Sequence, residues 1–406
     1  MTCIRKLGNR NTAVLLLAIL CFISITQLAD PVGASVYKQD FLRTQGTWIT
    51  DSNGNGILLR GANYPGYTEC DVRDNRINLH DEATYTRFAQ LGFNVVRLQI
   101  SWAFLEPKPG VFDLSYLTNY VNKDIQWAKN QGLYIVLDMH QYYWAQRFKL
   151  PKSVACGVPD WAVRQYPSSM DGMRQFVSNF WLNDSLQDHL ADLWTRIART
   201  YSNDTTIAGY DVLNEPFIYT SVVPYLNATY VNHLYDNLIR SVRSVDSNHI
   251  IFLEPANMYA SSKAERNIVW SPHFYVLAFN STYSSELGKK LLSEQLAAMY
   301  RKFVVGSGTP MWIGEFSGFM KDGTYRGYLQ DSEKLFNQYQ LGWAWWGFKA
   351  EFGEKVPNVL FSPPLSVSLP LNQPPTIFGS STEAAACVSL ISRGVNPCRI
   401  LIEYAE

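Results

Sequence analysis

The sequence predicts an α/β fold, a closed (β/α)8 TIM barrel built as a single catalytic domain with a short C-terminal extension. Three observations carry this. Eight short apolar runs rich in β-branched residues alternate with stretches of helical period, the alternation occupies about 300 residues, and polar or charged residues recur where the runs end. Strands buried on both faces read as continuous apolar runs, and helices between them require parallel pairing. Eight such units suit a barrel better than an open doubly wound sheet.

Taken in chain order, residues 1–34 stand apart. Arg5, Lys6 and Arg10 precede an apolar stretch over 13–25, and Val32-Gly33-Ala34 supplies small residues for cleavage. That pattern predicts a secretory signal peptide, hence an extracellular protein, with an uncleaved N-terminal anchor as the alternative. The catalytic domain is expected over 35–354. Its eight predicted strands are 57–63, 94–101, 133–140, 207–215, 250–255, 268–275, 311–315 and 342–348. Between them, Leu117, Val121, Ile125 and Ala128 lie on one helix face, and Gly132 ends that helix. Leu186, Leu190, Leu193, Trp194, Ile197, Ala198 and Tyr201 form another such face. The connection 141–180 is long, aromatic and broken by Pro151, Pro159 and Pro167. Because it follows a strand's C-terminal end, it is expected at the catalytic mouth. Residues 355–406 begin with a Pro- and Ser-rich loop, and 381–392 are predicted to supply the last helix, packed on the barrel.

Composition narrows the partners. The 406 residues balance 35 basic against 35 acidic side chains. Without residues 1–34, which hold Arg5, Lys6, Arg10 and Asp30, 32 basic groups face 34 acidic ones. Such a chain has no electrostatic footprint for nucleic acid or an anionic membrane, so an uncharged glycan fits better. No membrane insertion of the mature chain is expected, and a monomer is. Cys70, Cys156, Cys387 and Cys398 remain, an even number that permits two disulfides; Cys70–Cys156 and Cys387–Cys398 are the expected pairs. Neither Cys-x-x-Cys nor His-x-x-x-His occurs, so no metal or other cofactor is expected. Sequons at Asn183, Asn203, Asn227 and Asn280 are compatible with an exported protein.

The chemistry-bearing residues are those that end strands, since these point into a barrel's mouth. They are Arg97, His140, Asn214 with Glu215, His273 with Tyr275, Glu315 and Trp346. Two carboxyl groups, each where a buried strand meets a loop, suit the breaking of a glycosidic bond: one protonates the leaving oxygen while the other attacks or stabilises the sugar carbon. Glu254-Pro255 also ends a predicted strand and is expected to be loop structure or a minor substrate contact. Asp138 is expected to orient loops. Trp102, Tyr142, Tyr143, Trp144 and Trp161 are candidate stacking platforms for sugars along a cleft.

The motifs Val-Val-Arg97, Asp-Met-His140, Asn214-Glu215-Pro216, His273-Phe-Tyr275, Trp-Ile-Gly-Glu315 and Trp345-Trp346 occur in this order. Together they resemble glycoside hydrolase family 5, the cellulase-like family of barrel enzymes with catalytic Glu on strands four and seven, over roughly residues 58–348. The resemblance implies Glu215 as acid/base and Glu315 as nucleophile of a retaining enzyme, with Arg97, His140, Asn214, His273, Tyr275 and Trp346 binding substrate or supporting them. It implies a β-1,4-glucan substrate, with mannan, exo-acting glucan and glycosphingolipid cleavage as alternatives. The segment Leu-Asp-Met-His140-Gln141 resembles the glycosphingolipid-cleaving members, although those carry a C-terminal β-sandwich that the short Pro-rich tail does not resemble. A sugar-binding barrel without catalysis would have lost one of the two Glu, and both are present.

Overall fold

The computed structural model describes residues 39–64, 80–148, 157–216, 228–255, 267–280, 282–320 and 323–346. The expected signal peptide, the four cysteines, Asn227 and the segment 355–406 lie outside the described residues.

The eight predicted strands form one parallel sheet. After a small antiparallel hairpin, β1 (Arg43–Gln45) and β2 (Trp48–Thr50), come β3 (Arg60–Tyr64), β4 (Val95–Ile100), β5 (Tyr134–Met139), β6 (Ile207–Asp211), β7 (Ile250–Leu253), β8 (Ile268–Trp270), β9 (His273–Phe274), β10 (Trp312–Phe316) and β11 (Gly342–Trp345). Their order is β8-β7-β6-β5-β4-β3-β11-β10-β9, and a parallel bridge between Trp270 and Met311 closes the ring. The sixth barrel strand is thus two pieces. Pro272 interrupts it because proline brings no N–H to the ladder, although its carbonyl still accepts from Gly314 N–H.

The helices between the strands include α1 (Glu82–Gln90), α2 (Asn122–Asn130), α3 (Met170–Leu182), α4 (Asp184–Tyr201), α5 (Ala228–Arg243), α6 (Ser285–Tyr300) and α7 (Tyr325–Gln338). The predicted face of α4 is buried throughout, and Asn183 caps the helix by accepting the Leu186 N–H at 3.1 Å. The connection after β5 is not a bare loop. It contains α3 and the turn Asp160–Val163, and Phe148, Phe176, Phe180 and Trp181 form an aromatic layer around Trp144.

Alternation sorts the strand residues into an inner and an outer core. On β4, Val95 faces the barrel axis while Val96, Leu98 and Ile100 pack outward against helices. Arg97 therefore points inward. Two irregularities break that rule where it matters. Between β5 and β6 the register slips one residue, Ile135 pairing with Ile207 but Val136 with Gly209. Ala208 and Asp211 then both face inward, which strict alternation forbids. Gly209 is required there, since a Cβ would sit 2.2 Å from the Ile250 carbonyl oxygen. A second slip between β10 and β11, from Ile313 to Phe316, turns Glu315 inward although Trp312 already faces the axis. Such bulges re-aim single side chains.

Candidate active site

Arg97 is the hub. It is fully buried, and all five of its N–H groups are used. Nε donates to Asp211 Oδ2 at 3.0 Å; Nη1 to Asn63 Oδ1 at 2.9 Å and Glu315 Oε1 at 2.8 Å; Nη2 to Asn214 Oδ1 at 2.9 Å and Glu254 Oε1 at 2.8 Å. Asp138 Oδ1 adds an ion-pair contact at 3.0 Å. Burial opposes the charge, yet the carboxylates of Asp138, Asp211, Glu315 and Glu254 hold the guanidinium well above its ordinary pKa. The cluster Asp138, Asp211 and Glu254 has the spacing of a cation site, and its cation is Arg97 itself.

Glu315 sits at the end of β10 and is 4% exposed. Arg97 binds its Oε1, and the Tyr275 hydroxyl donates to its Oε2 at 2.8 Å. Burial raises its pKa, His273 and Arg97 pull it down, and the Glu215 charge adds to the rise. Burial, followed by Glu315, pushes the Tyr275 hydroxyl well above the ordinary phenol value, so it remains a donor.

Glu215 follows β6 in a left-handed conformation, φ +40°, which non-glycine residues seldom adopt. Several contacts hold it there. Its N–H donates to Glu254 Oε2 at 2.7 Å, its carbonyl accepts from Gln141 Nε2 at 2.8 Å, and its Oε1 lies 2.7 Å from His273 Nδ1. His273 also approaches Glu315 Oε2 at 3.3 Å and, through Nε2, Glu254 Oε1 at 3.2 Å. Burial opposes its protonation, but Glu254, Glu315 and Glu215 raise it well above the ordinary histidine value, so it is an imidazolium. Oxygens of Glu215 and Glu315 lie within 4.8 Å of each other.

His140 behaves differently. It hydrogen-bonds Asp138 Oδ2 through Nδ1 at 2.7 Å, and burial pulls it down to about 3, leaving it neutral. Its ring lies nearly parallel to that of the half-buried Trp346, with centroids 5.5 Å apart. Asn214 accepts from Arg97 and donates one amide N–H to the Gln141 carbonyl at 2.8 Å.

The eight principal residues expected from sequence thus converge on one cleft. The expected aromatic platforms do not. Trp102 and Trp144 are core residues, 2% and 1% exposed, and offer no face to a ligand. Trp102 Nε1 is tied to Glu106 Oε2 at 2.8 Å. Trp161, partly buried, packs edge-on against Trp102 and donates to the Glu106 carbonyl. Tyr142 is 48% exposed and packs against Tyr143. Glu254, just past the end of β7, is not the minor position expected of it but stands 4% exposed at the centre of the cluster. Sequence reasoning missed Asn63, Asp211 and Gln141 as well. A charged residue closing an apolar run, as Asp211 does, was the available signal.

The family model for cellulase (glycosyl hydrolase family 5) matches residues 50–351. Among curated relatives, a β-xylosidase of Phanerodontia chrysosporium is 25% identical, covering 76% of this chain and 71% of that protein. An endoglycoceramidase of Cyanea nozakii is 26% identical over 51% of this chain, which spans only 49% of that relative's length. Among solved structures, an endogalactoceramidase superposes with TM-score 0.63 at 26% identity, covering 76% of this chain and 74% of that one.

Proposed function

The chain belongs to glycoside hydrolase family 5, and on that premise we propose that it hydrolyses β-glycosides with retention of configuration. The carrying observation is the approach of the Glu215 and Glu315 carboxyl oxygens to within 4.8 Å. Retaining sites hold these groups about 5–5.5 Å apart, whereas inverting sites keep about 6.5–9.5 Å open for a water. Glu315, bound through one oxygen by Arg97 and through the other by the Tyr275 hydroxyl, attacks the anomeric carbon as a carboxylate while the bond from that carbon to the leaving oxygen breaks. Glu215 gives its proton to that oxygen, and Oε2 is the atom to carry it because Oε1 faces His273. In the second half, Glu215 takes a proton from water, which displaces Glu315 and releases the sugar with its original configuration. Asn214 donates to the 2-hydroxyl, and Trp346 with His140 offers the flat wall.

We further propose a lipid-linked glycoside as the substrate class. The endoglycoceramidase and endogalactoceramidase likenesses support it, as does an aromatic ladder beside Glu315. The Tyr275 ring lies near-parallel to Phe319, and Phe319 stacks on Phe279, which is 50% exposed. The expected β-1,4-glucan remains the second reading, favoured by the cellulase model itself. A panel of glucosylceramide, galactosylceramide, carboxymethyl-cellulose, mannan and laminarin separates them. Turnover of a ceramide glycoside supports the first, and turnover of cellulose alone refutes it. Glu315→Ala should be inactive until azide restores cleavage of an activated glycoside with inversion; Glu215→Ala should keep good leaving groups and lose natural ones. Normal activity in both variants would overturn the assignment. Export follows from the leader pattern, and N-terminal sequencing of secreted protein should begin near residue 35.

A further inference from the structure

Glu254 has no part in the chemistry above, yet among the described residues it is the carboxylate that accepts the acid/base's own backbone N–H. Its Oε2 accepts the backbone N–H of Glu215 at 2.7 Å, at a residue held with φ +40°. Its Oε1 accepts from Arg97 at 2.8 Å and faces Nε2 of His273 at 3.2 Å, the ring whose Nδ1 meets Glu215 Oε1 at 2.7 Å. Glu254 thus reaches Glu215 at both ends, the main chain directly and the carboxyl through His273. Its own position is fixed, since the Tyr235 hydroxyl donates to its backbone carbonyl. Resting on the assignment of Glu215 as acid/base, we infer that Glu254 is the positioning residue that aims the Glu215 carboxyl at the leaving oxygen.

Both Glu254 oxygens accept. An amide cannot copy this, because its NH2 would face either the Glu215 N–H or the Arg97 and His273 donors. Glu254→Gln is therefore a shape-preserving test. Glu254→Asp keeps the charge but is too short to span Arg97 and the Glu215 N–H together. Rates are taken per site that reacts covalently with an activated 2-deoxy-2-fluoroglycoside, which requires the nucleophile and not the acid.

Two substrates are compared in each variant, a dinitrophenyl glycoside that leaves without protonation and an alkyl glycoside that needs it. The expected result is a fall in kcat/KM at least tenfold greater for the alkyl glycoside, with a changed alkaline limb in its pH profile. Equal falls for both substrates would make Glu254 a support of Arg97 and Glu315, and overturn the inference. So would an unchanged ratio. If Glu254→Gln yields no labelled sites, the ratio in Glu254→Asp decides. Glu215→Ala is the control: if it fails to spare the dinitrophenyl glycoside, the acid/base assignment itself falls, whereas a normal control with an unchanged Glu254 ratio rejects this inference alone.

Discussion

Arg97→Met isolates what the buried guanidinium does. The side chains are similar in length, so packing changes little, while five hydrogen bonds vanish, to Asp211, Asn63, Glu315, Asn214 and Glu254, together with the one charge that faces Asp138, Asp211, Glu254 and Glu315. Removing one partner of a buried ion pair costs about 3–5 kcal/mol, because the remaining charges stay buried without compensation. The loss should depend on pH. Burial already raises Asp211 to about 6, Asp138 to about 7 and Glu254 to about 8, with Arg97 pulling each back. Without Arg97 all three move further up. A carboxyl raised by folding stabilises the fold fully below its unfolded value, about 4, and loses that contribution as pH climbs through the folded value. The deficit against the wild type should therefore be largest above pH 8 and shrink toward pH 5 as the carboxyls take up protons. Urea unfolding followed by tryptophan fluorescence at pH 5 and pH 8.5 measures it. We expect about 4 kcal/mol at the higher pH and less than half of that at the lower. Arg97→Lys restores a charge but only three donors, and should recover part of the difference. Equal deficits at both pH values would refute this electrostatic account.

Tyr275→Phe removes the donor to Glu315 Oε2, worth about 1.5–3 kcal/mol as a bond to a charged group. kcat/KM should fall by roughly 10- to 150-fold, more at acid pH, because Glu315 then ionises later; a uniform fall across the pH profile counts against it. His140, pulled down to about 3, gives stability that is complete above about 6.5 and lost as pH falls toward 3, by about 5 kcal/mol at most. Replacing it with Gln should flatten the acid limb of a Tm-against-pH curve, and an unaltered limb would assign that limb to other groups. Trp102→Phe leaves Glu106 Oε2 without its donor and should cost about 1–3 kcal/mol in urea unfolding while leaving KM for substrate unchanged. A raised KM would return Trp102 to the cleft.

Strand number, strand order and the two candidate catalytic Glu were legible because they depend on local pattern: an apolar run, then a polar end. Arg97 also obeys simple alternation on β4, in phase with Val95. Glu315 and Asp211 do not. Counting from Trp312 or Ala208, strict alternation sends both to the helix side, and only the bulges opposite β11 and β5 bring them inward. A bulge is a property of two paired strands, so one strand's sequence shows at most its glycine, here Gly209. Trp102 and Trp144 misled for a related reason. Indole rings near a mouth suit sugars or cores equally, and partners such as Glu106, Phe180 and Trp181 decide the matter. Glu254 was underrated because its role comes from backbone geometry at Glu215, which is a contact in space with no counterpart in spacing.

The charge balance of the cleft joins its stability to its chemistry. Five carboxyl groups, Asp138, Asp211, Glu215, Glu254 and Glu315, face two cations, Arg97 and the His273 imidazolium, while His140 stays neutral. An excess of buried negative charge is costly, and burial pushes Asp138, Asp211 and Glu254 above the ordinary carboxylate value while Arg97 pulls each back. The same excess suits the proposed reaction. As the bond to the leaving oxygen breaks, positive charge develops on the sugar ring, and it develops inside a frame already short of cations. That interaction is absent from the neutral ground state and strengthens toward the transition state, the condition under which binding energy raises kcat. Fixed dipoles and charges need no reorganisation at that moment, so the bulges and buried ion pairs that cost stability when the barrel folds are what keep the cleft preorganised for a neutral glycoside.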